Sequence, residues 1–423
     1  MGDRGHRAIQ LDIAIYVVCA GFAVGTAVWS EFYGYRIWGN FATVAYLFGA
    51  AHAVWLLVSR TGGGWTRSRW VPIAVVVGIG MVLPLGVLVV RRLTGTDWLI
   101  TPFSWAAQPE VWVIERSARL LLDTGTPYVD ISALTNPQVN DYTPYGPVMT
   151  VFGLPRALLG GSPLTDARIM FALATVGTVA LSLRLIGWPK VPVRAGHLAI
   201  VSPLTALTFA VAGPDLAIIG LMILACALAV RDRYAWSATV LAIVVSMKLT
   251  ALPAVVAIVF FVAVQAGGRT LARVVAVIVA VTAVLNIPVM IVQPGAFVEH
   301  VIMFPAGAGR VSSPAGSPLP GHLIASAGPF GHTLALVLVG LTAVALIWWL
   351  IRRPPATGSA ALAKAAVVLA AALLVVPASR YGYVVYPLAL WGAALSFAVA
   401  ERAASRPATS CDPLLGAEVG EPR

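Results

Sequence analysis

The chain has 423 residues, of which 59% are hydrophobic and only 11% are charged, and its mean hydropathy is +0.88. A soluble domain carries about 25% charged residues, so this chain has too little polar surface to cover a water-exposed globule, which excludes the soluble classes. The formal net charge is +11. Because the basic residues lie in short connectors between apolar runs, this charge predicts a membrane topology and no nucleic-acid partner.

Apolar runs recur along the chain, and many have about 20 residues, the length that crosses the hydrocarbon core of a membrane. The sequence predicts an all-α polytopic membrane protein with about twelve spans. The predicted spans are residues 11–30, 42–59, 71–90, 169–187, 195–211, 216–230, 237–249, 254–265, 274–292, 333–351, 361–377 and 383–400. The first run lacks a small-residue cleavage motif, so we interpret it as an uncleaved helix.

The distribution of Lys and Arg predicts the orientation, because cytoplasmic connectors are enriched in both. Twelve spans with both termini in the cytoplasm place the basic connectors inside, with Arg91 and Arg92 as the exception. Residues 143–159 then form a short interfacial helix rather than a span. The two long connections, 91–166 and 293–332, fall on the extracytoplasmic side of the plasma membrane. We divide the chain into two N-terminal helices (1–70), a membrane core (71–401) and a disordered cytoplasmic tail (402–423).

The first long connection contains a predicted amphipathic helix that begins at Pro109 and ends before Gly125. Its apolar face comprises Val111, Ile114, Ala118, Leu121 and Leu122. Glu115 and Arg119 have the i, i+4 spacing of a helical ion pair. Glu110, in the first turn, has two interpretations. It is either a carboxylate stabilised by the helix dipole or a general base at the membrane interface.

Charged residues elsewhere give further candidates. Lys248 lies in an apolar run, where a charge is a functional hypothesis by default; its alternatives are snorkelling or a buried pair with Asp215. Arg310 lies among glycines, which suits phosphate binding but is also typical of a solvated loop. Arg380 lies among tyrosines, as either a phosphate ligand or an interfacial anchor. The residues Glu299, His300 and His322 lack zinc-like spacing, so we predict no metal and no other cofactor.

Several motifs occur together and in one order. Gly125-Thr-Pro-Tyr128 closes the predicted helix, and Tyr142-Thr-Pro-Tyr-Gly-Pro147 follows it. Gly213-Pro-Asp-Leu-Ala217, Met247-Lys-Leu-Thr-Ala-Leu-Pro253 and Arg380-Tyr-Gly-Tyr-Val-Val-Tyr-Pro387 come later. In these motifs the chain resembles the C-type glycosyltransferase superfamily and is most similar to glycosyltransferase family 87, from about Val71 onward. It departs from the family pattern in having one more residue between Lys248 and Pro253.

The resemblance implies an extracytoplasmic glycosyltransferase that takes its sugar, mannose in actinobacterial members, from polyprenyl phosphate and passes it to a glycolipid or glycan acceptor. It places Glu110 where the family has its catalytic Asp, and this change from Asp to Glu leaves Asp97 and Glu115 as rivals. An inverting transfer needs one carboxylate base and cations for the leaving phosphate. The donor-phosphate candidates are Lys248, Arg310 and Arg380, and the other substrate-binding candidates are Asp215, Tyr142, Tyr145, Tyr381 and Tyr383.

Two other functions compete with this one. A transporter or flippase for a lipid-linked sugar predicts charged residues along a path through several spans, and few are present here. The absence of an internal sequence repeat also weakens a transporter built from inverted halves. A non-catalytic membrane scaffold would make the positions of Glu110 and Lys248 accidental.

Overall fold

The structure is a computed structural model that describes residues 3–59, 64–93 and 106–405. Within these ranges the regular secondary structure is helical, and the only β contact is a single parallel bridge between Gly316 and Ser379. The prediction of an all-α membrane protein is therefore confirmed. Asp97, Cys411 and most of the predicted tail lie outside the described residues; residues Arg402 to Ala404 still belong to the last helix.

The main helices are numbered here in chain order. They are α1 (Asp3–Trp29), α2 (Tyr33–Val58), α3 (Trp70–Leu93), α4 (Pro109–Thr124), α5 (Pro147–Leu159), α6 (Ala167–Leu185), α7 (Val193–Val201), α8 (Pro203–Val211), α9 (Pro214–Val230), α10 (Tyr234–Met247), α11 (Leu252–Val292), α12 (Pro294–Val298), α13 (Pro320–Ala325), α14 (Pro329–Arg352), α15 (Gly358–Val375) and α16 (Val385–Ala404). A π-helical turn interrupts α3 at Val76–Val82, and another extends α12 through Glu299–Met303. Short 3₁₀ turns connect several of the other helices, at Trp65–Arg67, Ile131–Ala133, Val139–Asp141, Pro163–Thr165, Leu249–Ala251 and Tyr381–Val384.

Each predicted span coincides with a helix, with half of one or, at 195–211, with the pair α7 and α8. The predicted number of twelve is not confirmed. In the described part of the chain, eight helical segments are long and apolar enough to cross a membrane, or nine if α7 and α8 form one bent span. The helices α9 and α10 have only 17 and 14 residues. The segment 143–159 contains only the short helix α5, as predicted.

Proline and glycine set the breaks in the long apolar stretches. The axes of α7 and α8 differ by 45° at the step from Ser202 to Pro203, where a proline removes a helical hydrogen bond. Gly213, with φ of 103°, separates α8 from α9. Gly267, with φ of 74°, divides α11. An unbroken α11 of 41 residues would measure roughly 62 Å, twice the thickness of the hydrocarbon core, so the break gives two segments of membrane-compatible length.

Two hydrophobic clusters hold the helices together. The larger cluster joins α9, α10, α11, α15 and α16. The smaller cluster joins the N-terminal pair α1 and α2 to α3, α7 and α8, around the buried side chains of Tyr16, Trp38 and Tyr46. The N-terminal pair therefore packs directly on the helices of the core.

The helix α4 forms with the predicted bounds. Pro109 is its first residue, and Gly125 ends it in the left-handed conformation, with φ of 75°. Val111, Ile114 and Ala118 are buried, as the predicted apolar face requires, but Leu122 is exposed. The predicted pair between Glu115 and Arg119 is wrong. Glu115 instead binds Arg92 at the end of α3 and Arg156 on α5, because the fold brings these two guanidinium groups to it.

Candidate functional site

A cavity of about 1220 Å³ lies between the first long connection and the helices that follow it. Its walls are mostly apolar, and α11, α14 and α15 supply many of its aliphatic side chains. Among the described residues, four charged side chains line the cavity, namely Glu110, Asp215, Lys248 and Arg380. These two carboxylates and two cations come from parts of the sequence that are far apart, and their formal charges cancel.

Glu110 and Arg380 form the first ion pair of the cavity. A guanidinium nitrogen of Arg380 donates to Glu110 Oε1 at 2.8 Å, and both side chains are partly exposed, 35% for Arg380 and 22% for Glu110. Burial alone would lower the pKa of Arg380, but the charge of Glu110 and the neighbouring Tyr383 raise it above its ordinary value. Arg380 is therefore a permanent cation that holds the carboxylate of Glu110.

Lys248 and Asp215 form the second ion pair. Lys248 Nζ donates to Asp215 Oδ1 at 2.6 Å, and the Tyr386 hydroxyl donates to the same oxygen at 2.7 Å. The ammonium also lies 4.5 Å from the ring centroid of Tyr383 and 5.5 Å from that of Tyr145, within the range of cation–π attraction. Lys248 thus has partners on several sides. Of its predicted interpretations, the pair with Asp215 is present in the structure.

The backbone near Lys248 depends on a close approach at Gly146. The Gly146 N–H donates to the Met247 carbonyl at 2.9 Å. A Cβ atom at position 146 would lie 2.2 Å from the carbonyl oxygen of Ser246, so only glycine fits there. This contact places Tyr145 beside Lys248, which sits in an extended break between α10 and the following turn.

Arg380 is positioned by the second long connection. Ser379 accepts from the Ser317 N–H at 3.0 Å and donates its own N–H to the Ala315 carbonyl at 2.9 Å. The Tyr381 N–H donates to Ser317 Oγ at 3.0 Å. Residues 313–318 line the cavity, so this segment forms part of its wall and fixes the residues on either side of Arg380.

Tyr142 and His300 connect the two long connections. Tyr142 Oη donates to Glu299 Oε1 at 2.8 Å, and burial together with this hydrogen bond raises the pKa of Tyr142 to about 12. His300 Nδ1 accepts from the Thr143 N–H at 2.8 Å, so Nε2 is the donor to the Val129 carbonyl. Burial lowers the pKa of His300 to about 4, and the ring is neutral.

The structure brings most of the predicted site residues to the cavity. Besides the four charged groups, the wall includes Tyr142, Tyr145, Tyr381 and Tyr383. Two predicted residues lie elsewhere. Arg310 is exposed, is not in the wall, and donates its backbone N–H to Glu299. Glu115 is buried in a separate ion-pair cluster. In the described ranges no three metal-ligating side chains are grouped as a metal site would require.

Sequence reasoning missed the contribution of the N-terminal helices. Phe32 and Tyr35, at the start of α2, line the cavity together with Gln108 and Val211. The run Phe32-Tyr-Gly-Tyr35 was the available signal, since aromatic residues at the end of a span often face an interface or a site. The predicted division of the chain treated this helix pair only as an addition to the core.

Comparison with known proteins assigns this chain to a family. The model of glycosyltransferase family 87 matches residues 142–377, more than half of the chain. The chain belongs to glycosyltransferase family 87. No match was found among curated proteins.

Two solved structures also resemble this family 87 chain. They are ArnT from Cupriavidus metallidurans bound to undecaprenyl phosphate, with 18% identity and a TM-score of 0.43, and the same protein in the apo state, with 19% identity and a TM-score of 0.42. Each match covers 76% of this chain, and 60% and 59% of the respective ArnT chains. The family 87 chain thus corresponds to about three-fifths of the length of ArnT.

The family 87 match contains only one half of the charged site. Lys248, Asp215, Tyr142 and Tyr145 lie within the matched residues, whereas Glu110 and Arg380 lie outside them. The first ion pair therefore joins two segments that flank the matched region, one before it and one after it.

Proposed function

We propose that this family 87 protein transfers a sugar from polyprenyl phosphate to the hydroxyl of a glycolipid or glycan acceptor. The sugar is a hexose or pentose, and mannose is the choice that the family resemblance favours. The site opens on the extracytoplasmic side of the plasma membrane, and both termini are cytoplasmic. The observation that carries the proposal is the Glu110–Arg380 pair in the wall of a largely apolar cavity.

The reaction needs one base and one cation at the leaving group. The acceptor oxygen attacks the anomeric carbon as its proton passes to a Glu110 carboxylate oxygen. The bond between the anomeric carbon and the phosphate oxygen breaks, and its electron pair stays on the phosphate, which gains one negative charge. Arg380 stabilises that charge by hydrogen bonds. Because attack and departure occur on opposite faces of the sugar, the anomeric configuration inverts.

The contact between Glu110 and Arg380 implies that the donor phosphate and Glu110 compete for Arg380. Arg380 can form strong hydrogen bonds with a phosphate only if it gives up part of its contact with Glu110, and the freed carboxylate is then available to the acceptor hydroxyl. Lys248 is less available, since Asp215 and two tyrosine rings already surround it. Of the two cations, Arg380 is the principal phosphate ligand, and the Lys248–Asp215 pair shapes the sugar-binding wall.

Glu115 was the rival candidate for the base, and its contacts favour Glu110 in that role. Glu115 accepts hydrogen bonds at both oxygens from buried partners and does not line the cavity. Glu110 lines the cavity and has one ion-pair partner there, which a substrate can displace.

An assay of the purified protein in lipid nanodiscs tests the proposal. Radiolabelled polyprenyl-phosphate mannose is supplied with a membrane lipid extract, and labelled product is separated from donor. We expect labelled glycolipid and released polyprenyl phosphate in equal amounts, and a product linkage inverted relative to the donor. In proteoliposomes, movement of the labelled donor between leaflets without any transfer would instead support the transporter.

A further inference from the structure

Five charged side chains form a buried cluster outside the cavity, where helices α3, α4, α5 and α6 meet. They are Arg92, Glu115, Arg156, Asp166 and Arg168. We propose that this cluster positions the helix that carries Glu110, with Glu115 and Arg92 as its central positioning residues. The inference rests on the proposed role of Glu110 as base.

Glu115 uses both carboxylate oxygens in this cluster. Its Oε1 accepts from Arg92 at 3.0 Å and from the Ala167 N–H at 3.0 Å. Its Oε2 accepts from Arg92 at 2.6 Å and lies 3.3 Å from Nε of Arg156. The bidentate contact fixes orientation as well as distance. Helix α4 is therefore attached at Glu115 to α3, to α5 and to the first residue of α6.

Asp166 and Arg168 hold the chain on the N-terminal side of α4. Asp166 accepts from Arg92 at 2.8 Å and from two nitrogens of Arg168, each at 2.9 Å. Arg168 in turn donates to the Ala106 carbonyl at 2.8 Å, just before α4. The Gln108 N–H donates to the Val211 carbonyl at 2.9 Å. The backbone is thus fixed two residues before Glu110.

Glu110 lies between these two attachments. It precedes Glu115 by five residues, about one and a half helical turns or roughly 7.5 Å along the axis. Gly153 of α5 allows close contact here, since a Cβ at that position would lie 2.6 Å from the Ile114 carbonyl oxygen and 2.8 Å from Glu115 Cα. A helix held on both sides of Glu110 has little freedom to rotate or slide, so its carboxylate has a defined place in the cavity.

Stability alone does not account for such a cluster. The cluster holds three cations and two anions, and Asp166 and Arg168 have no exposed surface. Buried ion pairs are often no more stabilising than well-packed apolar residues of similar size, because charges lose their hydration on burial. The directional hydrogen bonds of ion pairs fix the relative positions of the helices more strictly than apolar packing does. This geometry is what a general base requires.

The test measures transfer per binding-competent site in the variant Glu115→Gln. Sites are counted by the stoichiometry of polyprenyl phosphate binding to the nanodisc-embedded protein. We expect kcat per site to fall about ten- to a hundredfold, with the Kd for polyprenyl phosphate changed less than about twofold. In a Glu110→Gln background the same substitution should lower the residual rate less than about twofold, since the position of α4 acts only through the base.

Asp12→Asn is the matched control, because Asp12 forms a similar buried bidentate pair with Arg69, at 2.6 and 2.7 Å, on α1. It should lower the melting temperature without lowering kcat per site. Arg156→Gln, at the 27% exposed edge of the cluster, provides a milder variant should Glu115→Gln fail to fold. An unchanged kcat per site in the variant that folds would overturn the proposal. If Glu110→Gln itself kept full activity, the role of Glu110 as base, on which this inference rests, would fail instead, and absence of transfer by the wild type would contradict the proposed function.

Discussion

Glu110 Oε1 lies 2.8 Å from a guanidinium nitrogen of Arg380, although the two residues are 270 positions apart in the chain. The candidate base and the candidate phosphate ligand are each other's partners. A phosphate that enters the cavity must compete with a carboxylate for Arg380. This competition leads to a measurable difference in affinity.

Glu110→Gln should bind polyprenyl phosphate more tightly than the wild type, by up to about fivefold. The substitution removes the competing charge, and a partly exposed ion pair contributes up to about 1 kcal/mol. Isothermal titration calorimetry in nanodiscs measures the change. Asp123→Asn, which neutralises an exposed carboxylate at the other end of α4, serves as a charge control with unchanged affinity. Weaker binding by Glu110→Gln would contradict the competition.

The Lys248–Asp215 pair should show strong coupling in stability. Lys248→Met leaves the Asp215 carboxylate largely buried without its cation, and should lower the free energy of unfolding by about 3 kcal/mol. The double variant Lys248→Met with Asp215→Asn should recover most of this loss, because no unpaired charge remains. Thermal unfolding in detergent, followed by tryptophan fluorescence, measures both variants. Additive losses in the double variant would show that the pair does not form.

Gly146→Ala should destabilise the site, since its Cβ would collide with the Ser246 carbonyl at 2.2 Å. The backbone must move, at a cost of about 1–3 kcal/mol, and Tyr145 shifts away from Lys248. Gly177→Ala is the control, because no neighbouring atom lies within 4 Å of the added Cβ and alanine favours a helix. Melting temperatures should fall for Gly146→Ala and rise slightly for Gly177→Ala. Equal melting temperatures would rule out the tight contact.

His300 should make the fold less stable in acid. Its pKa is about 4 in the folded chain, below the ordinary value of about 6.5, so the unfolded state binds more protons between these values. Stability therefore falls as the pH decreases from 6.5 to 4, by up to about 3 kcal/mol. His300→Gln keeps a donor for the Val129 carbonyl but does not titrate, and its melting temperature should depend less on pH across this window. Identical pH profiles would contradict the assignment.

Local sequence patterns predicted the parts of the site that depend on the residue types within one short segment. Pro109 and Gly125 bound α4 because proline fits a first turn and glycine adopts the left-handed conformation that ends it. Lys248 and Asp215 were recognisable because a charge in an apolar run needs a partner. The partnership of Glu110 with Arg380 was not predictable, since no periodicity relates residues so far apart.

Long-range contacts also explain where the sequence interpretation failed. The i, i+4 spacing favoured a pair between Glu115 and Arg119, but bidentate contact with buried Arg92 replaces it. Arg92 is also one of the two arginines that the sequence places outside in a topology that stays a prediction. Its charge is neutralised by Glu115 and Asp166. Sequence spacing cannot reveal such a neutralisation.

The turnover of Glu110→Gln tests the central claim most directly. With radiolabelled polyprenyl-phosphate mannose and an acceptor lipid extract at saturation, the loss of a general base should lower kcat by about 10²–10⁴. The variant should still bind polyprenyl phosphate, which separates a lost base from a lost site. A kcat within twofold of the wild type would show that another group removes the proton, and Glu110 could not then be the base.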